Sequence, residues 1–188
     1  FDLVLDGELH QARTICQELR QKFGDHPTLL FLLGTIALKS EAPAEALPYL
    51  RQAVDLEPEE LEFRKVLGAA LQDQDKPDEA MIHYKHILSV VPDAVHIIYK
   101  SAQCLELLGR IDDAIKALRA AVSLNPAYHP AVLKLAQLMR STGETEAAVQ
   151  EIRKLSNLRG DLTFEAMCAS WILPVVPRSK EEMEDARE

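Results

Sequence analysis

Residues 61–94 read LEFRKVLGAALQDQDKPDEAMIHYKHILSVVPDA, and residues 95–128 read VHIIYKSAQCLELLGRIDDAIKALRAAVSLNPAY. The two stretches carry the same punctuation: Gly68 with Ala102, Ala80 with Ala114, and Pro92 with Pro126, each pair 34 residues apart. Working outward keeps the register. Pro58 joins the proline column, and Ala46, Ala148 and Ala12 join the alanine column. Gly34 and Ala136 extend the third column, and Leu33, Leu67 and Leu135 form a fourth in which Ser101 is the exception. Four columns in one register mark an internal repeat, and a period of this length decides the fold before any single element does.

Each period reads as two amphipathic helices separated by turns. First helices are predicted over 27–39, 61–72, 95–108 and 129–140, and second helices over 43–56, 77–90, 111–124 and 145–158. Pro43 and Pro77 stand at helix starts, where a missing N–H costs nothing. Pro58, Pro92 and Pro126 follow helix ends, where proline stops continuation. Gly109 and Gly143 supply turns within a pair. Pro48 lies one turn inside its helix and is expected to weaken or bend that start. The small-residue columns let helix backbones approach where they cross. Leu30, Leu50, Leu71, Tyr84, Leu105 and Leu118 are expected to fill the space around them.

A 34-residue helix-turn-helix with these columns resembles the tetratricopeptide repeat. The resemblance implies an all-α fold, a right-handed α-solenoid of helix-turn-helix units. It covers an array over 1–158, with a half-unit at 7–24 and repeats at 27–60, 61–94, 95–128 and 129–158. It further implies a concave groove lined by first helices that holds a peptide or another protein's helix. The groove places of that family fall on Thr28, Phe31, Leu32, Thr35, Leu38 and Lys39 in the first repeat. In the second they fall on Glu62, Lys65, Val66, Ala69, Gln72 and Asp73, and in the third on His96, Tyr99, Lys100, Gln103, Glu106 and Leu107. The fourth contributes Pro130, Leu133, Lys134, Gln137, Arg140 and Ser141. The expected groove is apolar near Phe31, Leu32 and Leu38. Toward Lys65, Tyr99, Lys100, Gln103, Lys134, Gln137 and Arg140 it turns polar to basic, suited to carbonyls and carboxylates. Two family solutions do not match. The clamp for a C-terminal carboxylate lacks its asparagines, and the asparagine ladder of animal O-linked N-acetylglucosamine transferases is replaced by Leu32, Val66, Lys100 and Lys134.

Composition narrows the partners. Lys plus Arg is 21 against Asp plus Glu at 30, a formal charge of −9. Such a chain repels a phosphate backbone unless it carries a concentrated basic face, and no run of adjacent Lys and Arg makes one. Nucleic acid is therefore not the expected partner. No stretch approaches the roughly 18 uninterrupted apolar residues of a membrane helix. Cys16, Cys104 and Cys168 are too few and too far apart for a disulfide framework, which fits a reducing, cytoplasmic compartment. The chain begins at Phe1 rather than methionine, as an excised piece would.

Chemistry is sparse. His83 and His86 stand three apart on a predicted helix with Glu79 one turn earlier, a spacing that brings two imidazoles to one face, but no third metal ligand is evident. Cys16 and Cys104 fall at packing phases and read as buried small hydrophobes. No phosphate loop, His-Glu-x-x-His or Gly-x-Ser-x-Gly occurs, so neither catalytic residues nor a cofactor are expected.

Past residue 158 the register changes. A helix can begin over 162–169, and residues 170–177, SWILPVVP, then form an apolar run that Pro174 and Pro177 keep from being helical. Ser179 to Glu182 opens an acidic helix with a capping box, as though 159–188 led into a further domain. The run from Trp171 to Val176 is also a candidate for self-association. Leu173-Pro174-Val175-Val176-Pro177-Arg178-Ser179, with Glu181, Glu182 and Arg187, resembles the junction in bacterial SPINDLY-type O-linked N-acetylglucosamine transferases. That resemblance implies a parent enzyme that uses a UDP-sugar on Ser or Thr hydroxyls. No catalytic residue carries over to this chain. The expected function is a protein- or peptide-binding module at the N-terminal side of such a transferase. A self-standing scaffold is the alternative, and a metal-dependent enzyme built on His83 and His86 is the third reading.

Overall fold

The computed structural model describes residues 8–159, which form nine α-helices and no strand. The chain divides after Leu124 into two compact units. In the first, α1 (Leu9–Phe23) precedes three helix pairs: α2 (Pro27–Lys39) with α3 (Pro43–Leu56), α4 (Leu61–Asp73) with α5 (Pro77–Val90), and α6 (Val95–Leu107) with α7 (Ile111–Leu124). In the second, α8 (His129–Ser141) pairs with α9 (Thr145–Arg159). The predicted starts agree with the observed ones, while the ends of α4, α6, α8 and α9 each shift by one residue.

Local chemistry sets these limits. Pro27, Pro43, Pro77 and Pro130 occupy the first or second helical position, where no intrahelical N–H bond is due. His26 Nδ1 accepts from Thr28 N at 3.3 Å, and the Glu60 carboxylate from Glu62 N at 3.2 Å, each satisfying an otherwise unpaired donor. Helix α3 runs on from Pro43 through Pro48, so that proline does not displace the start.

The two kinds of turn repeat with the period. Between pairs, a proline takes the second place of a four-residue turn closed by Glu60 N to Glu57 O, Ala94 N to Val91 O and Tyr128 N to Asn125 O. Within pairs, Ala42, Lys76, Arg110 and Glu144 each donate a backbone N–H to the carbonyl five residues back, on Ala37, Leu71, Leu105 and Met139. This closure requires a left-handed residue just before the donor. Gly109 and Gly143 fill it at φ 72° and 93°. Glu41 and Asp75 fill it at φ 56° and 55°, a conformation that costs an L-residue roughly 1–2 kcal/mol.

The small columns are crossings. A Cβ on Gly34 would lie 2.6 Å from Leu50 Cγ, and one on Gly68 would lie 2.7 Å from Tyr84 Cε1. Ala46, Ala80 and Ala114 are fully buried. Leu30, Leu50, Leu71, Tyr84 and Ile97 fill one continuous core of the first unit, while Ala12 and Cys16 of α1 pack with Leu33 and Ile36 of α2. In the second unit Leu135, Ala136, Ala148 and Ile152 are buried.

Candidate functional site: the first-helix face

Helices α2, α4 and α6 carry the candidate residues of the first unit. Their side chains are more engaged with one another than the sequence reading expects. Phe31 is only 8% exposed and stacks on Phe63 of α4, with ring centroids 4.6 Å apart. The Phe31 ring thus lies against Phe63 at the seam between α2 and α4. Leu32 and Leu38 are half-buried and pack against the core clusters. Thr35 Oγ1 donates to the Phe31 carbonyl at 2.8 Å, which turns its hydroxyl back onto its own helix.

Toward α4 and α6 the face becomes a polar network. Lys65 pairs with Glu62, so its charge is already answered by a neighbouring groove place. Tyr84 Oη donates to Gln72 Oε1 at 3.3 Å, Gln72 Nε2 to Gln103 Oε1 at 3.3 Å, and Gln103 Nε2 to Tyr99 Oη at 3.1 Å. Tyr84 is fully buried, and that burial pushes its phenol far above the ordinary range, so it remains a protonated donor. Lys100 is half-buried on α6. In the second unit Lys134 is half-buried on α8, and Gln137 and Arg140 are exposed. Sequence spacing places Gln72 and Gln103 among the groove positions; that both join Tyr84 into one run emerges only with the fold.

The other candidates resolve differently. Glu79 pairs with Arg51 of α3 rather than completing a site with the histidines. Glu59 approaches His86 Nε2 at 3.5 Å without hydrogen-bond geometry, and His83 Nδ1 is buried without a partner. Among the described residues no group of three or more His, Cys, Asp or Glu is placed to hold a metal ion. Cys16 and Cys104 are buried thiols, and burial pushes Cys104 up to about 11, well away from nucleophilic range. No helix among the described residues is long and apolar enough to cross a membrane. Cys168, Trp171 to Val176 and the junction-like stretch lie outside the described residues.

Family profiles for the tetratricopeptide repeat match residues 37–103 and 105–166, and a further profile of the same repeat matches 6–58. The chain belongs to the tetratricopeptide repeat family. Solved structures agree on the fold. MamA 41-end from Desulfovibrio magneticus RS-1 superposes with a TM-score of 0.78 at 16% identity, covering 84% of this chain and 89% of that one. Two crystal structures of MamA give TM-scores of 0.76 and 0.75, both at 20% identity. They cover 90% and 94% of this chain and 95% and 93% of their own. No curated protein matches the chain. Fold and family together make this an all-α solenoid of helix-turn-helix units and a protein–protein interaction scaffold.

Proposed function

We propose that the first-helix faces of the two units each bind protein ligands, and that the array over 1–158 acts as a binding module rather than an enzyme. The observation that carries this reading is the half-buried polar network of Gln72, Gln103 and Tyr99. A protein that needed this face only for packing would fill it with apolar side chains, as the opposite side of the same helices is filled. Lys100 in the first unit, and Lys134, Gln137 and Arg140 in the second, add charge-assisted donors suited to carbonyl and carboxylate groups.

The test is affinity for a native partner recovered by crosslinking and identified. Lys100→Glu should weaken binding if the first unit's face holds the partner, and Lys134→Glu with Arg140→Glu if the second unit's does. Unchanged affinity in both variants, with helicity retained, moves the site off the first helices.

The finer reading, a module belonging to a protein O-glycosyltransferase, draws on Leu173 to Ser179 with Glu181, Glu182 and Arg187. The matched families and solved structures are repeat proteins and lend it no support. Sequencing the gene beyond the codon for Glu188 decides it, since that reading requires a nucleotide-sugar-binding domain there. A cytoplasmic location is inferred from buried free thiols at Cys16 and Cys104, and cell fractionation tests it.

A further inference from the structure

We propose that the outer face of α1 binds α1 of a second copy of this chain, with the two helices running antiparallel. This surface is separate from the first-helix faces that carry the protein-binding reading, and from the run Trp171 to Val176.

Ile15, Leu19 and Phe23 recur every four residues and share one face of α1. They are 44%, 37% and 67% exposed, while Ala12 and Cys16 turn the neighbouring face onto Leu33 and Ile36 of α2. The exposure departs from the rest of the period. Ala53, Ile87 and Ala121 take the Leu19 position in α3, α5 and α7, and none is more than 4% exposed. Each of those helices is paired with a first helix that precedes it; among the described residues none precedes α1. Residues 1–6 are out of register to cover the stripe. Gly34 lies against Ala46 and Leu50 across its pair, so one period earlier residues 1–6 fall opposite the start of α1 and not opposite Leu19 or Phe23.

Charge selects the occupant and its direction. Glu18 and Lys22 are exposed and flank the stripe on one side, one helical turn apart. Lys22 Nζ lies over the Phe23 ring, 5.1 Å from its centroid. On the other flank Arg13 is paired with Glu45 and Arg20 with Asp25. A two-fold axis across the helices at Leu19 sets Leu19 on its own copy and Phe23 on Ile15. It also joins like flanks, so Lys22 comes within about 3 Å along the axis of Glu18 of the second copy, twice over. Parallel helices join opposite flanks and leave Glu18 and Lys22 unmatched. The face is self-complementary in both apolar pattern and sign, as an isologous contact requires. A dimer made here carries its ligand-binding faces in duplicate, which raises the effective concentration seen by a multivalent partner.

The test is self-association of the whole chain by sedimentation velocity. One helix from each copy makes a contact below the roughly 1,200 Å² of a standard interface, so the expected dissociation constant is micromolar or weaker. Concentrations from about 10 μM to about 1 mM span it. Leu19→Glu and Phe23→Glu should each weaken the dimer by about tenfold or more, and matched thermal melts establish that these exposed positions leave the fold intact. Glu18→Lys and Lys22→Glu should each weaken it by about three- to tenfold. An equimolar mixture of those two variants should restore it, because every flank then meets the opposite charge. A mixture that stays dissociated overturns the antiparallel pairing. So does a wild type that is monomeric at every concentration, or a dimer indifferent to Phe23→Glu that Trp171→Ser dissociates. The same measurement is made on the product of the whole gene, where indifference to Leu19→Glu assigns the stripe to a preceding segment and overturns the inference.

Discussion

In the α4/α5 pair, Gly68 lies beneath the ring of Tyr84 and the turn is made by Asp75 at φ 55°. In the α6/α7 pair, the corresponding crossing residue is Ala102 and the turn is made by Gly109 at φ 72°. Both turns close with the same backbone bonds: Lys76 N to Leu71 O at 2.9 Å in one, and Arg110 N to Leu105 O at 2.8 Å in the other. The comparison separates two demands on glycine. At the crossing, residue size answers to the side chain opposite, so a buried tyrosine requires the loss of a Cβ. At the turn, the closing hydrogen bonds impose the left-handed conformation whichever residue is there. Asp tolerates it better than most L-residues because its short polar side chain bonds locally.

The largest expected effect lies at the crossing. Gly68→Leu must displace the Tyr84 ring from a core with no slack, and should cost about 3 kcal/mol, the upper end of the usual overpacking range. Urea unfolding of the whole chain measures it. Gly68→Ala sharpens the point, because helix propensity alone favours alanine by roughly 0.5–1 kcal/mol. A stabilised Gly68→Ala protein would mean that the ring yields and the crossing is loose.

The turns come next, with opposite signs. Gly109→Ala places a Cβ at positive φ and should lose roughly 1–2 kcal/mol. Asp75→Gly relieves that same penalty but meets glycine's larger entropy loss, roughly 0.5–1 kcal/mol. The net gain should be no more than about 1.5 kcal/mol, read as a small rise in melting temperature. A loss of stability in Asp75→Gly would show that the aspartate side chain itself holds the turn.

Tyr84→Phe probes the other side of the same ring. It keeps the packing over Gly68 and removes the donor to Gln72, for an expected loss of about 1 kcal/mol. A neutral result would place that hydrogen bond outside the stability of the α4/α5 pair.

These contrasts bear on what the sequence could disclose. The period, the helix starts and the small columns were legible because proline and glycine act locally and recur every 34 residues. Glu41 and Asp75 were not recognisable as left-handed turn residues, since a Glu does not announce positive φ and an Asp only favours it over most L-residues; their register with Gly109 and Gly143 is the clear sign. The groove positions could be assigned by counting, but counting cannot say which of them touch. Phe31 closed onto Phe63, Lys65 onto Glu62, and Gln72 onto Gln103, each through a contact with a residue one turn or one repeat away. Side-chain pairing between neighbouring repeats is a tertiary property, and a single-repeat pattern does not contain it.

The smallest expected effect is a pH response confined to one of the two pairs. His83 of α5 stands in the register that Ala117 takes in α7. Burial lowers the affinity of His83 for a proton, and Arg64 of α4, Arg51 of α3 and His86 of its own helix act in the same direction against Glu79. The folded protein thus binds this proton less readily than the unfolded chain does. The stability that neutral His83 contributes is fully present above the unfolded value of 6.5 and is lost as pH falls through that value toward the folded one. The carboxylates of Glu79 and Asp113, held low by Arg51 and Arg110 respectively, act in the same direction, but only below their ordinary values of 4.5 and 3.8. The His83 window therefore opens first as pH falls. Melting temperatures at about pH 7.5 and about pH 5.5 should therefore show a decline in the wild type that His83→Ala largely removes. An equal decline in that variant would assign the acid sensitivity to another group and leave the α4/α5 and α6/α7 pairs alike in this respect.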